Sequence, residues 1–171
     1  MKAILDNSHI LFDTNIVDYM TSKEPELRAK TEELVNALFE AGNTLYVSEF
    51  SHYELLRDVP ESKRRNLTEL LKLFRLIPHN FIRLSRAIKL YSNYKSVPQI
   101  KSFLHSISDV DIFIGALLFT DDQPYLLTSD YTDFPRPFFR EIACHKVNFK
   151  TKTGQTRSLD YNFLSADLKR F

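Results

Sequence analysis

The order of strand-like and helix-like segments constrains the fold of this chain more than any other feature. Short β-rich apolar runs occur at His9 to Phe12, Thr44 to Ser48 and Tyr125 to Thr128, and each is followed by a helical pattern or a turn. A fourth strand is predicted at Ile142 to Phe149. Strands separated by helices favour a mainly parallel sheet covered on both faces. We therefore predict a three-layer α/β/α fold with a central, mainly parallel sheet flanked by helices.

The helical segments show apolar spacing near 3.6 residues together with terminal signals. Pro25 suits the first turn of one helix and Gly42 its C-terminal cap. The stretch from Asp109 to Phe119 is apolar nearly all round, which is typical of a helix buried on most sides. Further helices are predicted at Thr14 to Met20, in the segment that carries Glu54, and in two amphipathic segments around Leu67 to Phe74 and Phe81 to Tyr91.

The chain length of 171 residues predicts a single domain, residues 1–171, with a core at about 8–149. Residues 150–171 form a C-terminal extension in this interpretation, and a hairpin, an arm to a partner, an RNA contact and a plain surface segment all remain open for it. The formal net charge of +1 argues against a strongly cationic protein that coats nucleic acid.

The single cysteine and the lack of long apolar runs bear on the compartment. Cys144 cannot form an internal disulfide, and its apolar surroundings predict a buried side chain in a reducing compartment. No apolar run is long enough for a signal peptide or a membrane span. We therefore expect a cytoplasmic protein that does not contact a membrane.

Carboxylates follow the predicted strands at one edge of the sheet. Asp13 and Asp130 come directly after strands, and Glu54 lies within two helical turns of another strand's end. Ligands of such sheets bind outside the carboxyl ends of the strands. Each acid alone also has a local explanation: a helix cap for Asp13, a capping box of Ser108 with Asp111, a solvated helix position for Glu54 and a turn for Asp130.

Taken together, the acids predict a metal site. Crowded carboxylates raise each other's pKa and cost stability unless protons or cations intervene. Oxygen ligands without paired cysteine or histidine exclude a typical zinc site and suit Mg²⁺ or Mn²⁺. Such cations suit phosphoryl chemistry, whereas no Ser/His/Asp triad and no Gly-rich phosphate loop is indicated.

Four segments carry acids in a characteristic order: Ile10-Leu11-Phe12-Asp13-Thr14-Asn15, Ser48 to Leu55, Asp111 to Ala116, and Leu126 to Phe134. In this order and spacing they resemble the motifs of the PIN-domain nuclease family, which includes the VapC-type toxins of bacterial toxin–antitoxin pairs. The resemblance covers about Ile10 to Phe149.

The resemblance implies a PIN-like domain with Mg²⁺- or Mn²⁺-dependent endoribonuclease activity on RNA. It leaves open a toxin role, an antitoxin protein as partner and a homodimer. It implies Asp13, Glu54, Asp111 and Asp130 as catalytic residues and metal ligands, with Asn15, Thr128, Asp133 and Asp109 in support.

Two choices and two other functions stay open beside this interpretation. The third motif offers Asp109 or Asp111, and we prefer Asp111 because Ile114 and Gly115 follow it at the expected offsets; the small Gly115 would also let this helix lie close to the sheet. The fourth motif offers Asp130 or Asp133, and we prefer Asp130 because it follows the strand directly.

A catalytically silent PIN-like module that binds RNA or protein is the first alternative function, and a metal-dependent phosphohydrolase of small molecules is the second.

Overall fold

The computed structural model describes residues 5–57, 59–120 and 122–171. Within these residues six strands form one sheet in the spatial order β3-β2-β1-β4-β6-β5. The strands are β1 (His9–Phe12), β2 (Thr44–Ser48), β3 (Arg75–Ile77), β4 (Tyr125–Thr128), β5 (Phe139–Lys150) and β6 (Thr156–Ala166).

The sheet is mainly parallel, as predicted. Strand β1 pairs in parallel with both β2 and β4, and β2 pairs in parallel with β3. Strand β6 runs antiparallel between β4 and β5. The carboxyl ends of β1, β2 and β4 therefore meet at the same edge, which we call the carboxyl edge.

Helices cover both faces of the sheet. They are α1 (Thr14–Met20), α2 (Pro25–Glu40), α3 (Glu49–Arg57), α4 (Glu61–Leu71), α5 (Phe81–Ser96), α6 (Pro98–Lys101) and α7 (Asp109–Leu117). Pro25 occupies the first turn of α2, and Gly42 follows that helix with φ at +77°, a conformation that favours glycine. No helix within the described residues is long and apolar enough to cross a lipid bilayer.

Two apolar cores lie on opposite faces of the sheet. One contains Phe12 of β1 and buried side chains of α1, α2, α3 and α4. The other contains Leu11 and buried side chains of α5, α6 and α7. Neighbouring strand residues point to opposite faces, so Leu11 and Phe12 each fill one of the two cores. The predicted layering of helices on both sides of an α/β sheet is therefore confirmed, while its PIN-like character stays a prediction.

The C-terminal segment contributes to the interior of the sheet. Residues 156–166 of β6 lie between β4 and β5, and Tyr161, Phe163 and Leu164 are fully buried. Residues 150–171 were predicted as an extension of a core at 8–149. In the structure β5 and β6 form a hairpin around Gly154 (φ +82°), and the packed sheet reaches Ala166.

The prediction that Cys144 is buried is wrong, because its side chain is exposed. Residue 144 lies in β5, the outermost strand of the sheet. Val147, on the other face of β5, packs into the core beneath α2, and successive residues alternate between the two faces. Cys144 points to the uncovered face.

Candidate metal centre

Asp13 lies directly after β1 at the carboxyl edge, and its side chain is only 4% exposed. Its backbone N–H donates to the carbonyl of Leu127 at 3.0 Å and ties the end of β1 to β4. Its Oδ1 accepts a hydrogen bond from the Thr14 N–H at 2.7 Å, so the helix cap considered for Asp13 exists. The carboxylate is thus held by backbone and removed from bulk water.

Asn15 and Thr128 hold the second oxygen of this carboxylate. The Thr128 hydroxyl donates to Asp13 Oδ2 at 2.6 Å and accepts from the Asp130 N–H at 2.9 Å. The Asn15 amide donates to the same Oδ2 at 2.7 Å, and its Oδ1 accepts from the Ser129 N–H at 3.3 Å. The structure therefore brings both predicted supporting residues into contact with Asp13.

Asp111 lies in the first turn of α7, where the predicted capping box with Ser108 is present. The Ser108 hydroxyl donates to Asp111 Oδ2 at 2.5 Å and the Ser108 N–H donates to the same oxygen at 3.2 Å. The Asp111 N–H donates back to Ser108 Oγ at 3.1 Å. Within the described residues Oδ1 of Asp111 accepts no hydrogen bond, so capping occupies only one oxygen of this half-buried carboxylate.

Asp130 is similar, although it is exposed. Its Oδ1 accepts from the Thr132 hydroxyl at 2.5 Å and from the Thr132 N–H at 3.2 Å, which forms the predicted turn. Its Oδ2 accepts no hydrogen bond from any residue that the structure describes. The local explanations for Asp111 and Asp130 are thus correct, and in each case they leave one oxygen available.

Glu54 reaches the same region from the opposite core. Helix α3 begins after β2, where the buried Ser48 hydroxyl accepts the Ser51 N–H at 2.9 Å. Glu54 is half-buried on this helix, and its carboxylate accepts no hydrogen bond within the described ranges. Its charge contributes to raising the pKa of Asp111, so the two side chains lie within electrostatic range.

The pKa values link the acids to one another. Burial raises the pKa of Asp13 from 3.8 to about 7; the Thr128 hydrogen bond opposes this rise, while the charges of Asp111 and Asp133 add to it. The pKa of Asp133 is also raised to about 7, mainly by burial and in addition by the charges of Asp111 and Asp130. For Asp111 burial again leads, and the Ser108 hydrogen bonds lower its pKa while Glu54 and Asp130 raise it.

No basic side chain of the described residues is bonded to these carboxylates. The causes that shift the pKa of Asp13, Asp111 and Asp133 are burial, hydrogen bonds and neighbouring acids. Within the described residues, no ion pair joins Asp13, Glu54, Asp111 or Asp130 to a basic side chain. The cluster therefore carries uncompensated negative charge near buried positions, which costs stability when all members are ionised.

The arrangement stops short of a formed cation site. In the part of the chain that the structure describes, no three His, Cys, Asp or Glu side chains lie close enough together to hold one metal ion. Asp109, the other candidate of the third motif, is exposed and makes no side-chain hydrogen bond to a described residue. Asp133, predicted as a supporting residue, is coupled to both Asp111 and Asp130. Metal binding thus remains a prediction.

Gly115 allows α7 to pack tightly behind Asp111. A Cβ at this position would meet the ring of Phe139 at 3.0 Å and the side chain of Leu90 at 3.3 Å. Phe139 belongs to β5 and Leu90 to α5, so a larger residue would push the helix away from both. The small residue therefore fixes the height of α7 over the sheet.

Two buried hydroxyl groups near the acids were not predicted from the sequence. Thr14 Oγ1 and the Tyr94 hydroxyl have no hydrogen-bond partner within the described residues. Burial raises the pKa of Tyr94, and the charge of Asp111 raises it further, which places the ring within range of that acid. Tyr94 lies on the buried stripe of α5, where its spacing indicates only core packing. No sequence signal distinguishes it.

Comparison of the chain with protein-family models, with curated proteins and with solved structures finds no significant match.

Proposed function

We propose that this chain is a metal-dependent endoribonuclease that hydrolyses RNA phosphodiester bonds at the carboxyl edge. The observation that carries the proposal is the state of Asp13: a carboxylate with 4% exposure whose pKa is raised to about 7, near further acids and without a basic partner among the described residues. A protein that needed Asp13 only as a helix cap could use Ser, Thr or Asn at no electrostatic cost.

The donor set suits Mg²⁺ or Mn²⁺. Asp13, Glu54, Asp111 and Asp130 offer oxygen only, which these hard cations prefer. Oδ1 of Asp111 and Oδ2 of Asp130 accept no hydrogen bond within the described residues, and each could therefore bind metal without breaking its cap. Capping and ligation are compatible at both positions, since each uses a different oxygen.

A bound divalent cation would supply a hydroxide nucleophile and stabilise the departing oxygen. The protein's own contribution is orientation. Thr14, Asn15 and Thr128 donate hydrogen bonds to Asp13 and fix both of its oxygens before a substrate arrives. Asp133, whose pKa of about 7 lies near neutrality, is placed to exchange a proton beside Asp111 and Asp130.

The toxin role and a protein partner follow from the resemblance to the PIN-domain family. One feature of the surface supports a partner: α5 exposes Phe81, Ile82, Leu84 and Ile88, of which Phe81 is 81% exposed. Contiguous exposed apolar side chains mark interaction sites. We propose that an antitoxin or a second copy of the chain covers this face of α5.

A silent binding module is the second candidate function. The observation that favours it is the lack, within the described residues, of three potential ligands close enough for one ion. In that case the acids would persist as caps, and RNA or protein would bind without being cut.

The test is cleavage of single-stranded RNA by the purified chain with EDTA, Mg²⁺ or Mn²⁺. We expect cleavage with either metal, none in EDTA, and recovery when metal is restored. Asp111→Asn should abolish it, whereas Asp18→Asn, an exposed acid on α1, is the matched control and should retain it. Asp109→Asn in the same series decides between the two acids of the third motif.

Two results would contradict the proposal. Cleavage that persists in EDTA would exclude the metal mechanism, and RNA binding without cleavage would favour the silent module. Nucleotide monophosphates assayed beside RNA separate the small-molecule phosphohydrolase from the nuclease.

A further inference from the structure

Two cavities share lining residues in the segment that follows Asp130. One cavity, of about 510 Å³, has a mainly apolar lining that includes the aromatic rings of Phe103 and Tyr131. The other, of about 740 Å³, continues toward Arg140 and Lys169. Tyr131 and Arg136 line both cavities, and we call the two cavities together the groove.

One end of the groove is linked to the proposed metal centre by a hydrogen bond. Thr132 lines the smaller cavity, and its hydroxyl donates to Asp130 Oδ1 at 2.5 Å. Tyr131 stands between these two residues in the chain. A ligand that fills the smaller cavity would contact Thr132, whose hydroxyl is bonded to the Asp130 carboxylate.

The groove then follows the sheet away from the carboxyl edge. Asn162 of β6 pairs with Thr128 near the acids, whereas Ala166 lines the larger cavity and pairs with Phe139. The four steps along the strand from Asn162 to Ala166 span about 13 Å at roughly 3.3 Å per residue. This length exceeds the rise of a single nucleotide in a strand, about 3.4 Å.

The charges and rings along the groove suit a single-stranded polyanion. The Arg136 guanidinium lies 5.6 Å from the centre of the Tyr131 ring, which gives an aromatic surface with a cation beside it. Three cations line the larger cavity, Arg136, Arg140 and Lys169, against the two acids Glu141 and Asp167. None of the three forms an ion pair with a described residue, so each can accept a phosphate.

We propose that this groove binds the single-stranded RNA that flanks the cleaved bond, with one base in the smaller cavity against Tyr131 and Phe103. Arg136 contacts the next phosphate, and the strand continues over Arg140 and Lys169. This inference rests on the proposed ribonuclease function, because that function supplies the substrate. It adds a binding path outside the acids and names Arg136, which the sequence did not single out.

The test measures RNA binding without cleavage, by fluorescence anisotropy of a labelled single-stranded oligonucleotide in EDTA. We expect Tyr131→Ala and Arg136→Ala each to weaken binding about tenfold or more, since stacking on an aromatic residue accounts for roughly that factor per base. Tyr131→Phe should keep most of the affinity. Arg136→Glu should weaken binding more than Arg136→Ala does.

Matched controls exist elsewhere on the chain. Tyr91 carries a cation, Lys95, 4.4 Å from its ring centre but does not line either cavity, so Tyr91→Ala should bind RNA within about twofold of the parent. Arg65→Ala removes an exposed cation of α4 and should likewise bind as the parent does. Tyr131 is half-buried, so thermal unfolding checks that its alanine variant folds; Arg136 is exposed and tests the proposal independently.

The outcomes separate this inference from the proposed function. Parent-like RNA binding by both Arg136→Ala and a folded Tyr131→Ala overturns the groove, even if the parent cleaves RNA. A parent that cleaves nothing, but whose binding depends on Tyr131 and Arg136, supports the groove and overturns the nuclease. Equal weakening by the Tyr91 and Arg65 controls would also overturn it, because binding would then follow general charge and surface.

Discussion

Two buried polar side chains lie at opposite ends of the strand pair β1 and β2. One is a neutral amide and the other is a carboxyl group. Asn43, before β2, accepts the Ser8 N–H at 2.9 Å and donates to the carbonyls of Leu5 and Leu38 at 2.8 and 2.7 Å. Asp13, after β1, is equally buried and also fully hydrogen-bonded, but it is an acid near other acids.

The neutral amide stabilises the fold, whereas the carboxyl group lowers the stability of the fold when it is ionised. Asn43 is neutral, and its amide satisfies three backbone groups at the end of the sheet. Asp13 must either bind a proton, as its pKa of about 7 indicates, or remain charged beside Asp111 and Asp133. A buried charge kept at such a cost points to function rather than folding.

The largest expected effect is on cleavage by Asp13→Asn. The change removes the charge of a proposed metal ligand while keeping the side-chain shape, so we expect metal-dependent RNA cleavage to fall on the order of 1,000-fold. The variant should unfold at the same or a higher temperature than the parent in metal-free buffer at pH 8, because one repelling charge is lost. Asn43→Ala, assayed below its unfolding temperature, should cleave like the parent. Parent-like cleavage by Asp13→Asn would remove this residue from the mechanism.

The second effect concerns pH: the stability linked to Asp13 depends on pH, whereas that linked to Asn43 should not. The pKa of Asp13 is raised from 3.8 to about 7, so the folded protein binds a proton more tightly than the unfolded chain does. The stability linked to this group is fully present below pH 3.8 and is lost as the pH rises to about 7. We expect the free energy of unfolding in EDTA to fall by a few kcal/mol between pH 4 and 8.

Urea denaturation at several pH values measures this fall. Asp13→Asn should flatten it, and the slope that remains should reflect Asp133, whose pKa is also raised to about 7. Mg²⁺ or Mn²⁺ should restore stability at pH 8 but have little effect at pH 5, where the proton occupies the site. An identical slope in parent and variant would mean that Asp13 does not titrate in this range.

The third effect is on the stability of the end of the sheet that holds Asn43. Asn43→Ala removes three hydrogen bonds and leaves the Ser8 N–H and the Leu5 carbonyl without their partner. We expect a loss of about 3 kcal/mol in the free energy of unfolding, equal at pH 5 and pH 8. Asn36→Ala, on the solvent face of α2, is the control. A loss that varied with pH would show that this end is linked to the titrating acids.

The strands that could be predicted are those whose own residues carry the strand pattern. The run His9 to Phe12 is followed by Asp13, and the run Tyr125 to Thr128 is followed by Ser129 and Asp130; the structure confirms both strands with these bounds. Strand β3 has only three residues, Arg75–Ile77, which are too few to show an alternation of apolar and polar side chains. Strand β6 begins with exposed polar residues and is buried only from Tyr161 to Leu164, where its neighbours β4 and β5 enclose it. That burial depends on tertiary pairing, which the local pattern does not carry.

The same limit applies to the site. Sequence order predicted Asp13, Glu54 and Asp130 at one edge, because strand ends in a parallel sheet must meet there. Asn15 and Thr128 were implied only by the resemblance to the PIN-domain family, and the structure bonds both to Asp13. Which oxygen of Asp111 faces its cap, and which stays available, depends on side-chain rotamers. Arg136 was missed because a lone exposed arginine carries no pattern until a ring and two cavities surround it.

The smallest effect tests how Asp13 is held. The Thr128 hydroxyl donates to Asp13 Oδ2 and lowers the pKa of that carboxyl, so Thr128→Val should raise the pKa further and cost about 1–2 kcal/mol of stability. Thr128→Ser keeps the hydroxyl and should leave the titration midpoint of Asp13 close to that of the parent. Carboxyl NMR titration in EDTA measures the midpoint in all three proteins. A midpoint that stays fixed in Thr128→Val would mean that the Thr128 hydroxyl does not contribute to the pKa of Asp13, and its bond to the Asp130 N–H would then account for the loss of stability.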